Sequence, residues 1–292
     1  MEEYIVLYNP TSGGGKGLAI AKKTQKFMPD CSFSYQDITK ILDFDDFLNQ
    51  NQQKAGVILT GGDGTLNHFI NSIDCENLKT NIYFFASGSG NDFARDIKLK
   101  KLSKPLLINQ YLKDLPTANI KGKEYKFVNS VGAGMDGYCC CEVERLRKLN
   151  KKRANYIYVA IKALLYAYRP GNIEVTVDGV THTFKNAWLA PTMNGRYFGG
   201  GFMAAPNQDR LNKEHTISVV AMASKNIFYI IAAFLLLLMG KATIMKKVIK
   251  VITGHEVSIK LDREAPLEVD GETILGVKEY SVSTKKKVKQ II

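Results

Sequence analysis

One local pattern occurs three times in the first hundred residues: an apolar run, then a glycine-rich turn, then a segment with helical spacing. The apolar runs cover residues 4–8, 56–59 and 82–86, and the turns that follow cover residues 9–17, 60–65 and 87–92. This repetition predicts an α/β domain, a parallel sheet with helices on both faces. Ligands of such sheets bind beyond the carboxyl ends of the strands. The three turns are therefore predicted to converge on one site.

The central turn, residues 61–64, suits a phosphate group. Its glycines let the backbone turn sharply with N–H groups open to an anion. The spacing of Leu66 and Phe69 predicts a helix from Thr65, whose N-terminus favours phosphate. Asp63 lies inside this turn, where its carboxylate suits Mg²⁺ or a proton. Capping of a helix is the alternative role.

The first turn is a second candidate phosphate site, because four glycines and Lys16 precede a helical stretch at residues 19–27. It is not a P-loop, since Gly17 follows Lys16 where that motif requires Ser or Thr. It also lacks the dinucleotide-binding fingerprint. A flexible entry loop is the alternative interpretation.

The second half of the chain changes to short strands and predicts a β-rich, mainly antiparallel domain. Hairpin turns are expected at residues 178–179 and 270–271, both Asp-Gly. The predicted strands are residues 126–131, 173–177, 181–184, 187–190, 216–222, 256–261 and 280–283, and the predicted helical insertions are residues 142–168 and 227–251. We predict domains of residues 1–120 and 121–292, with the last strand able to return to the first domain.

The net charge of +12 (40 basic minus 28 acidic residues) suits nucleic acid, an anionic membrane or a phosphorylated substrate. Basic residues cluster at residues 145–153, 241–250 and 285–289. The clusters contain no interleaved stacking aromatics, and no recognition motif is present, so nucleic acid is not a predicted partner.

An apolar run of thirteen residues, 227–239, precedes the second basic cluster. A membrane span needs about twenty residues, so this helix is expected either in the core or at an anionic membrane interface. The start of the sequence resembles no secretory signal, and five cysteines fit neither a disulfide framework nor zinc spacing. We predict a cytoplasmic protein peripheral to the membrane. Homodimerisation through the apolar helix or a sheet edge stays open.

Residues 9–13, 61–65 and 88–94 resemble, in order and spacing, the loops of the diacylglycerol kinase catalytic family, and of its bacterial soluble lipid kinases in particular. The resemblance continues through residues 129–137, 199–201 and 269–272 and covers essentially the whole chain. It implies a nucleotide-binding α/β domain and a β-rich domain. It also implies transfer of the ATP γ-phosphoryl group to a lipid hydroxyl, with the active site in the interdomain cleft.

Carried over by position, the resemblance implies a nucleotide-binding set with Thr39 near the adenine or ribose and Ser89 near the phosphates: Asn9, Pro10, Thr11, Ser12, Gly13, Lys16, Thr39, Gly61, Gly62, Asp63, Gly64, Thr65, Leu66, Asn67, Ser89 and Asn91. It places Asp270 as the catalytic base, with Glu272 beside it. ATP and Mg²⁺ are the expected cofactors. Asp63, Asp92 and Asp270 are the expected carboxylates, of which two would orient the metal and one would take the proton.

One segment departs from the family pattern. Relatives carry Pro-x-Ala followed by Asp-Gly-x-Leu-Asp, which can hold a structural metal, whereas here Asn212-Lys213 replaces Asp-Gly and His215 takes the hydrophobic position. We do not predict that metal site. Asp209 would be a substitute ligand at the wrong offset, and Arg210 is expected to pair with a phosphate or with Asp209.

Two other functions stay open. The central glycine motif is shared with NAD kinases, although the first loop and the apolar helix favour a lipid substrate. A nucleotide- or lipid-binding protein without catalysis is the other alternative, and the presence of all three aspartates argues against it. The acceptor lipid is not readable from the sequence: diacylglycerol, phosphatidylglycerol, sphingoid bases and undecaprenol-like alcohols all present a hydroxyl group.

Overall fold

A computed structural model describes residues 1–150 and 156–284 of the chain. The chain forms two compact units, Met1–Lys113 and a second unit that begins at Asp114. The basic cluster at residues 285–289 lies outside the described residues, as does the end of the cluster at residues 145–153.

A five-stranded sheet in the order β2-β1-β3-β4-β5 is the centre of the first unit. The strands are β1 (Glu3–Tyr8), β2 (Ser32–Asp37), β3 (Gly56–Gly61), β4 (Ile82–Ala86) and β5 (Leu106–Leu107). The first four pair in parallel, and β5 is antiparallel to β4. Every residue of β3 is buried, as expected for a parallel strand covered on both faces of the sheet. The predicted α/β fold is confirmed.

The helices of the first unit are short. They are Gly17–Ala21, Phe44–Gln50, Asp63–Ile70 and Asp92–Asp96, with an irregular single turn at Ser12–Gly15 and 3₁₀ turns at Lys22–Lys26, Ile38–Lys40 and Asn109–Tyr111. The helix predicted over residues 19–27 is α-helical at Gly17–Ala21 and 3₁₀ at Lys22–Lys26, where the buried Thr24 hydroxyl donates to the Ala21 carbonyl. The helix predicted from Thr65 begins two residues earlier, at Asp63.

The second unit is an antiparallel β structure, as predicted. Its strands are β6 (Thr117–Ile120), β7 (Lys123–Lys126), β8 (Ser130–Ala133), β9 (Gly171–Val177), β10 (Val180–Leu189), β11 (Thr192–Met193), β12 (Tyr197–Phe198), β13 (Phe202–Met203), β14 (Ile217–Ala223), β15 (Ile249–Gly254), β16 (Glu256–Val269) and β17 (Glu272–Ser283). β16 pairs with β17 on one side, and with β9 and then β8 on the other. The large sheet therefore folds back on itself around an apolar core. β6 pairs with β17 and so belongs to this sheet.

Helices of the second unit cover Met135–Asn150, Tyr156–Lys162 and Ile227–Leu238, with a π turn at Ala163–Ala167 and a 3₁₀ turn at Ala242–Ile244. The insertion predicted from residue 142 starts at Met135, because Met135, Cys139 and Val143 are buried at helical spacing. The insertion predicted over residues 227–251 is wrong after Leu238. Gly240 leaves the helix with φ +68°, and from Ile249 the chain pairs with β14.

The apolar helix has two different faces. Its residues Ile230, Ala233 and Leu237 are fully buried in a core that the Tyr156–Lys162 helix also contacts through Val159. Phe228, on the opposite face, is 75% exposed. Among the described residues, no helix has the length and apolar content required to cross a bilayer.

Candidate functional site

Three turns lie at the carboxyl ends of β1, β3 and β4, along one edge of the parallel sheet. The strand order reverses direction between β1 and β3, because β2 lies on one side of β1 while β3 and β4 lie on the other. Doubly wound sheets of this order bind ligands at that reversal point. The first two glycine turns follow the two strands that flank it.

Hydrogen bonds within the first turn fix its shape. The Asn9 side chain accepts from the Thr11 N–H at 3.0 Å and from the Thr11 hydroxyl at 2.7 Å. Gly13, Gly14 and Gly15 all have positive φ, which residues with a Cβ avoid. A Cβ on Gly17 would lie 1.9 Å from the Asn9 carbonyl oxygen, so the helix starts against the turn itself. The first turn is thus hydrogen-bonded within itself and closely packed against the helix that follows it.

The second and third turns touch each other directly. A Cβ built on Gly62 would lie 2.8 Å from the Gly88 Cα, and one built on Gly88 would lie 2.5 Å from the Gly62 Cα. The Ser87 N–H donates to the Gly61 carbonyl at 2.7 Å. Only glycine permits this approach of the two backbones.

Asp63 joins the same two turns through its carboxylate. Oδ2 accepts from the Asp92 N–H at 3.1 Å and Oδ1 from the Phe93 N–H at 3.0 Å. Both donors belong to the first turn of the Asp92–Asp96 helix. Asp63 therefore caps a helix, as the alternative role proposed, but the helix that follows the third turn rather than its own.

The third turn ends at a strained residue. Asn91 has φ +54° and is 8% exposed, and its side-chain N–H donates to the Gly88 carbonyl at 2.8 Å. The Asn91 Oδ1 atom is buried without a partner among the described residues. A non-glycine residue in this conformation costs about 1–2 kcal/mol, which the packing of the two turns must offset.

The other predicted nucleotide residues line the same edge of the sheet. Thr39 follows β2 and binds the Asp37 carboxylate through its hydroxyl at 2.7 Å. Lys16 and Ser89 are exposed to solvent. Leu66 and Asn67 are buried in the helix after β3, and their contact with a nucleotide stays a prediction.

Asp63 and Asp92, the two predicted metal ligands of the first unit, differ in solvent exposure. Asp63 is partly exposed, whereas Asp92 is 5% exposed and binds the Arg95 guanidinium at 2.8 Å. In the described parts of the chain, no group of three His, Cys, Asp or Glu residues is placed to hold a metal ion. Mg²⁺ commonly takes one or two carboxylates and completes its shell with substrate phosphates and water. Asp63 is the more accessible of the two carboxylates for that arrangement, and both stay predictions as metal ligands.

Asp270, in the second unit, lies at the tip of the β16–β17 hairpin. It has φ +48° and Gly271 has φ +93°, as the predicted two-residue Asp-Gly turn requires. Its carboxylate is held by three backbone N–H groups: Val128 donates to Oδ2 at 2.7 Å, and Asn129 and Ser130 donate to Oδ1 at 2.7 and 3.1 Å. Amide donors in this arrangement stabilise a negative charge.

This contact explains why the strand predicted over residues 126–131 is wrong. The strand is split, because the N–H groups of Val128 and Asn129 bind Asp270 instead of a neighbouring strand. The carbonyl groups of the same two residues accept from Asn194 and Gly195. The turn at residues 127–129 is therefore built to hold one carboxylate.

Glu268 is an acidic residue that sequence reasoning missed. It is 5% exposed, and its carboxylate accepts from the Gly271 N–H at 2.7 Å and from the Ser130 hydroxyl at 3.3 Å. Glu272, the predicted neighbour of Asp270, is exposed and starts β17. A glutamate between Leu267 and Val269, two apolar residues of a strand, was the available signal.

Asp136 is a second buried acid that sequence reasoning missed. It is 2% exposed, and neither carboxylate oxygen has a hydrogen-bond partner among the described residues. Burial raises its pKa to about 6, against a smaller lowering by the nearby N–H groups of Asp136 and Gly137. Burial first, and then the charges of Asp136 and Asp270, raise the pKa of Glu268 well above its ordinary value.

Comparison with protein families covers both units. A family model described as the diacylglycerol kinase catalytic domain matches residues 3–119, and one described as the YegS C-terminal NAD kinase beta sandwich-like domain matches residues 129–284. The two matches together span nearly the whole chain. The chain belongs to the diacylglycerol kinase catalytic family. The resemblance seen in the three loops is therefore confirmed.

Three relatives of the chain share between 18% and 27% of its residues at aligned positions. The Bacillus subtilis (strain 168) protein named "Putative lipid kinase YtlR" is 23% identical over 316 residues, covering 97% of each chain. A diacylglycerol kinase of Mycobacterium tuberculosis (strain ATCC 25618 / H37Rv) is 27% identical over 160 residues, covering 52% of this chain and 50% of that protein. The crystal structure of a diacylglycerol kinase from Bacillus anthracis str. Sterne aligns with a TM-score of 0.64 at 18% identity, over 97% of this chain and 93% of that one. The fold is shared along essentially the whole chain.

Proposed function

We propose that this chain is an ATP-dependent lipid kinase that transfers the γ-phosphoryl group to a lipid hydroxyl, of diacylglycerol or a related lipid, at the cytoplasmic membrane surface. The observation that carries the proposal is the cradle of Asp270, a buried carboxylate that three backbone N–H groups hold at a hairpin tip. This cradle supports a lipid kinase because the chain belongs to the diacylglycerol kinase catalytic family.

The first unit is proposed to bind ATP at the edge where its three glycine turns lie. Gly62 and Gly88 bring two turns into contact, and Asp63 fixes the helix after the third. Phosphoryl transfer depends mostly on positioning and on neutralisation of charge. Mg²⁺ bound with the nucleotide would supply part of that neutralisation, and Asp63 is the carboxylate of this unit that fits it.

The second unit is proposed to supply the base. Asp270 would orient the lipid hydroxyl and accept its proton as the hydroxyl oxygen bonds to the γ-phosphorus of ATP, while the bond from that phosphorus to the oxygen of the β-phosphate breaks and ADP leaves. The three amide donors hold the carboxylate in one orientation, so no side-chain entropy is lost when the lipid arrives. A positioned acid or base contributes about 10²–10⁴ in rate.

The proposal is tested by incubating the folded protein with labelled ATP, Mg²⁺ and mixed micelles of a lipid panel, then identifying products by mass spectrometry. Phosphorylation of one or more lipids is expected. NAD is included as a competing acceptor, because the central turn resembles that of NAD kinases. Phosphorylation of NAD alone would show that the chain is an NAD kinase. Absence of transfer to every acceptor would favour a nucleotide- or lipid-binding protein without catalysis.

Asp270→Asn is expected to lower lipid phosphorylation at least 100-fold. The chain contains a matched control in Asp178, which has the same φ of +48° at an Asp-Gly hairpin tip. Its carboxylate likewise accepts backbone N–H groups, from His255 at 3.0 Å and Glu256 at 2.8 Å. Asp178→Asn therefore removes the charge of a similarly hydrogen-bonded carboxylate at a hairpin tip and leaves the proposed base unchanged. Equal activity loss in both variants would refute the assignment of Asp270.

Action at a membrane is proposed from an exposed apolar surface of the second unit. The Tyr156–Lys162 and Ile227–Leu238 helices pack on one core, yet Tyr158 is 62% and Phe228 75% exposed. Tyr229, Leu235, Leu238 and Met239 are also exposed, as are Lys225, Lys241, Lys246 and Lys247. Exposed apolar side chains beside lysines suit an anionic leaflet, where each basic residue contributes about 1 kcal/mol.

Flotation with phosphatidylglycerol vesicles tests this surface, with sedimentation of the protein alone beside it. Binding that falls as salt rises is expected. A dimer whose formation hides these residues, without vesicle binding, would show that a second copy of the chain covers the surface instead.

A further inference from the structure

The segment at residues 206–216 is where relatives can hold a structural metal, and in this chain side chains tie it together. The Asn212 side chain accepts from the Thr216 N–H at 2.8 Å and from the Thr216 hydroxyl at 3.1 Å. It also donates to the Asp209 carbonyl at 2.6 Å and to the Thr216 carbonyl at 3.0 Å. In the resemblance given above, Asn212 and Thr216 fall at the two acidic positions of the family pattern. Both are neutral, and they bond to each other directly.

The donor set of this segment does not fit a divalent cation. Its acidic residues are Asp209 and Glu214, and Asp209 is exposed with its carboxylate accepting from the Leu211 N–H at 3.0 Å. The cavity beside the segment, about 210 Å³, is lined mainly by amide and hydroxyl side chains with Asp209 as its single carboxylate. Mg²⁺ and Ca²⁺ sites in proteins are built from several carboxylate and carbonyl oxygens.

A guanidinium group extends from the same segment to the cradle of Asp270. Nη1 of Arg210 donates to the Val128 carbonyl at 2.9 Å, and Nη2 lies 3.4 Å from Asn129 Oδ1. Val128 and Asn129 are the residues whose N–H groups bind the Asp270 carboxylate at 2.7 Å. The positive charge of Arg210 and the negative charge of Asp270 thus act on the same short turn, one through a carbonyl oxygen and the other through N–H groups. Hydrogen bonds arranged in this way polarise and strengthen one another.

We propose that residues 206–216 are organised without a metal ion and that Arg210 is a positioning residue, which holds the turn at residues 127–129 in the geometry that binds Asp270. The consequence for turnover rests on the proposed lipid kinase function. The structural part does not, because the contacts lie within the second unit and involve no substrate.

The structural part is tested by hydrogen exchange of the protein without nucleotide or lipid. In Arg210→Ala, the N–H groups of Val128, Asn129 and Ser130 are expected to exchange about tenfold faster or more, since a hydrogen bond to a charged group is lost. Arg210→Lys keeps the positive charge but cannot contact the Val128 carbonyl and Asn129 Oδ1 together, as the two guanidinium nitrogens do. An intermediate rise in the exchange rate is expected. Asp209→Asn is the matched control, and unchanged exchange is expected there.

A metal-built segment would give the opposite pattern. Asp209→Asn would then raise exchange as much as Arg210→Ala does, and EDTA followed by Mg²⁺ would change exchange across residues 206–216 of the unmodified protein. Either result overturns the proposal. Unchanged exchange in both Arg210 variants overturns it as well.

Turnover provides the second readout. Arg210→Ala is expected to lower kcat with little change in the KM for ATP, and added guanidinium is expected to restore part of kcat. If the unmodified protein phosphorylates no lipid while exchange responds as expected, the proposed function fails and the positioning of Asp270 stands. If the unmodified protein is active and Arg210→Ala leaves both exchange and kcat unchanged, the function stands and this inference fails.

Discussion

Asp136 provides a quantitative test of how the second unit holds buried acids. Its carboxyl is 2% exposed, lies against Gly132, and has no hydrogen-bond partner among the described residues. We consider Asp136→Asn, which removes the titrating group with little change of shape. The asparagine amide would also lack partners, which adds a penalty of about 1–3 kcal/mol that does not vary with pH. The variation with pH is therefore the informative quantity.

The magnitude follows from the pKa of Asp136, which burial raises from 3.8 to about 6 in the folded protein. The folded protein binds this proton more tightly than the unfolded chain does. Below the unfolded pKa the carboxyl is protonated in both states, so it contributes no penalty to folding there. The penalty grows as pH rises through the window between the two values and is complete above the folded pKa. The difference between the folded and the unfolded pKa of Asp136 corresponds to about 3 kcal/mol of unfolding free energy. Asp136→Asn should thus gain up to about 3 kcal/mol in unfolding free energy, relative to the unmodified protein, between about pH 4 and pH 7.

The chain contains a specific probe for this measurement. Trp188 is its single tryptophan, is 7% exposed, and lies in the same apolar core as Met135, next to Asp136. Urea unfolding followed by Trp188 fluorescence therefore reports on the second unit. Asp209→Asn, which also removes one carboxylate but at an exposed position, is measured beside it as the matched loss of one charge. A flat difference for Asp136→Asn, or one that falls as pH rises, would refute the reasoning.

Three further predictions follow from contacts of the two units. Asp63→Asn replaces an acceptor of two helix N–H groups and should destabilise the first unit by about 2–3 kcal/mol, seen as a lower urea midpoint; an unchanged midpoint would contradict the capping role. The Cβ of Gly14→Ala would meet nothing within 4 Å, so this variant should lower the free energy of unfolding by only about 1–2 kcal/mol, from its positive φ. The Cβ of Gly17→Ala would lie 1.9 Å from a backbone oxygen, so that variant should lower it by clearly more. Phe228→Asp should weaken binding to phosphatidylglycerol vesicles about 30-fold, from the loss of about 2 kcal/mol of apolar burial, while Leu42→Asp, at a fully exposed apolar residue of the first unit, should not.

The elements that the sequence predicted well are those determined by neighbouring residues. The apolar runs that became β1, β3 and β4, and the glycine turns after them, are set by local burial and backbone freedom. The Asp-Gly hairpin at residues 270–271 is local in the same sense. The parallel sheet followed from the repetition of these units.

What the sequence did not predict depends on distant partners. The amides of Val128 and Asn129 bind a carboxylate that lies 142 and 141 residues away along the chain, so a segment with strand composition leaves the sheet. Ile249–Gly254 follows an apolar helix and a lysine cluster, and only its pairing with β14 makes it a strand. Asp63 was placed in a phosphate turn by its neighbours, while the helix that it caps begins 29 residues later.

Of the candidate site, the sequence identified the turns and Asp270 but not the residues around Asp270. Glu268 and Asp136 have no motif of their own, and their burial becomes visible only when β8, β16 and the Met135–Asn150 helix are assembled. Arg210 was expected to bind a phosphate or Asp209. Its bond to the Val128 carbonyl depends on a turn that the sequence had assigned to a strand.

The pairing of β17 with both β16 and β6 sets an order of assembly. β6 is the first strand of the second unit, yet its partner β17 is synthesised more than 150 residues later. Pairing over such a separation is slow, because the loop must close before any contact forms. During translation the first unit can complete its sheet and its glycine turns while the second unit still lacks the strand that closes the Asp270 hairpin. A chain interrupted before residue 272 would thus keep the proposed nucleotide turns without a formed cradle, and its uncovered β16 edge would be open to pairing with other chains.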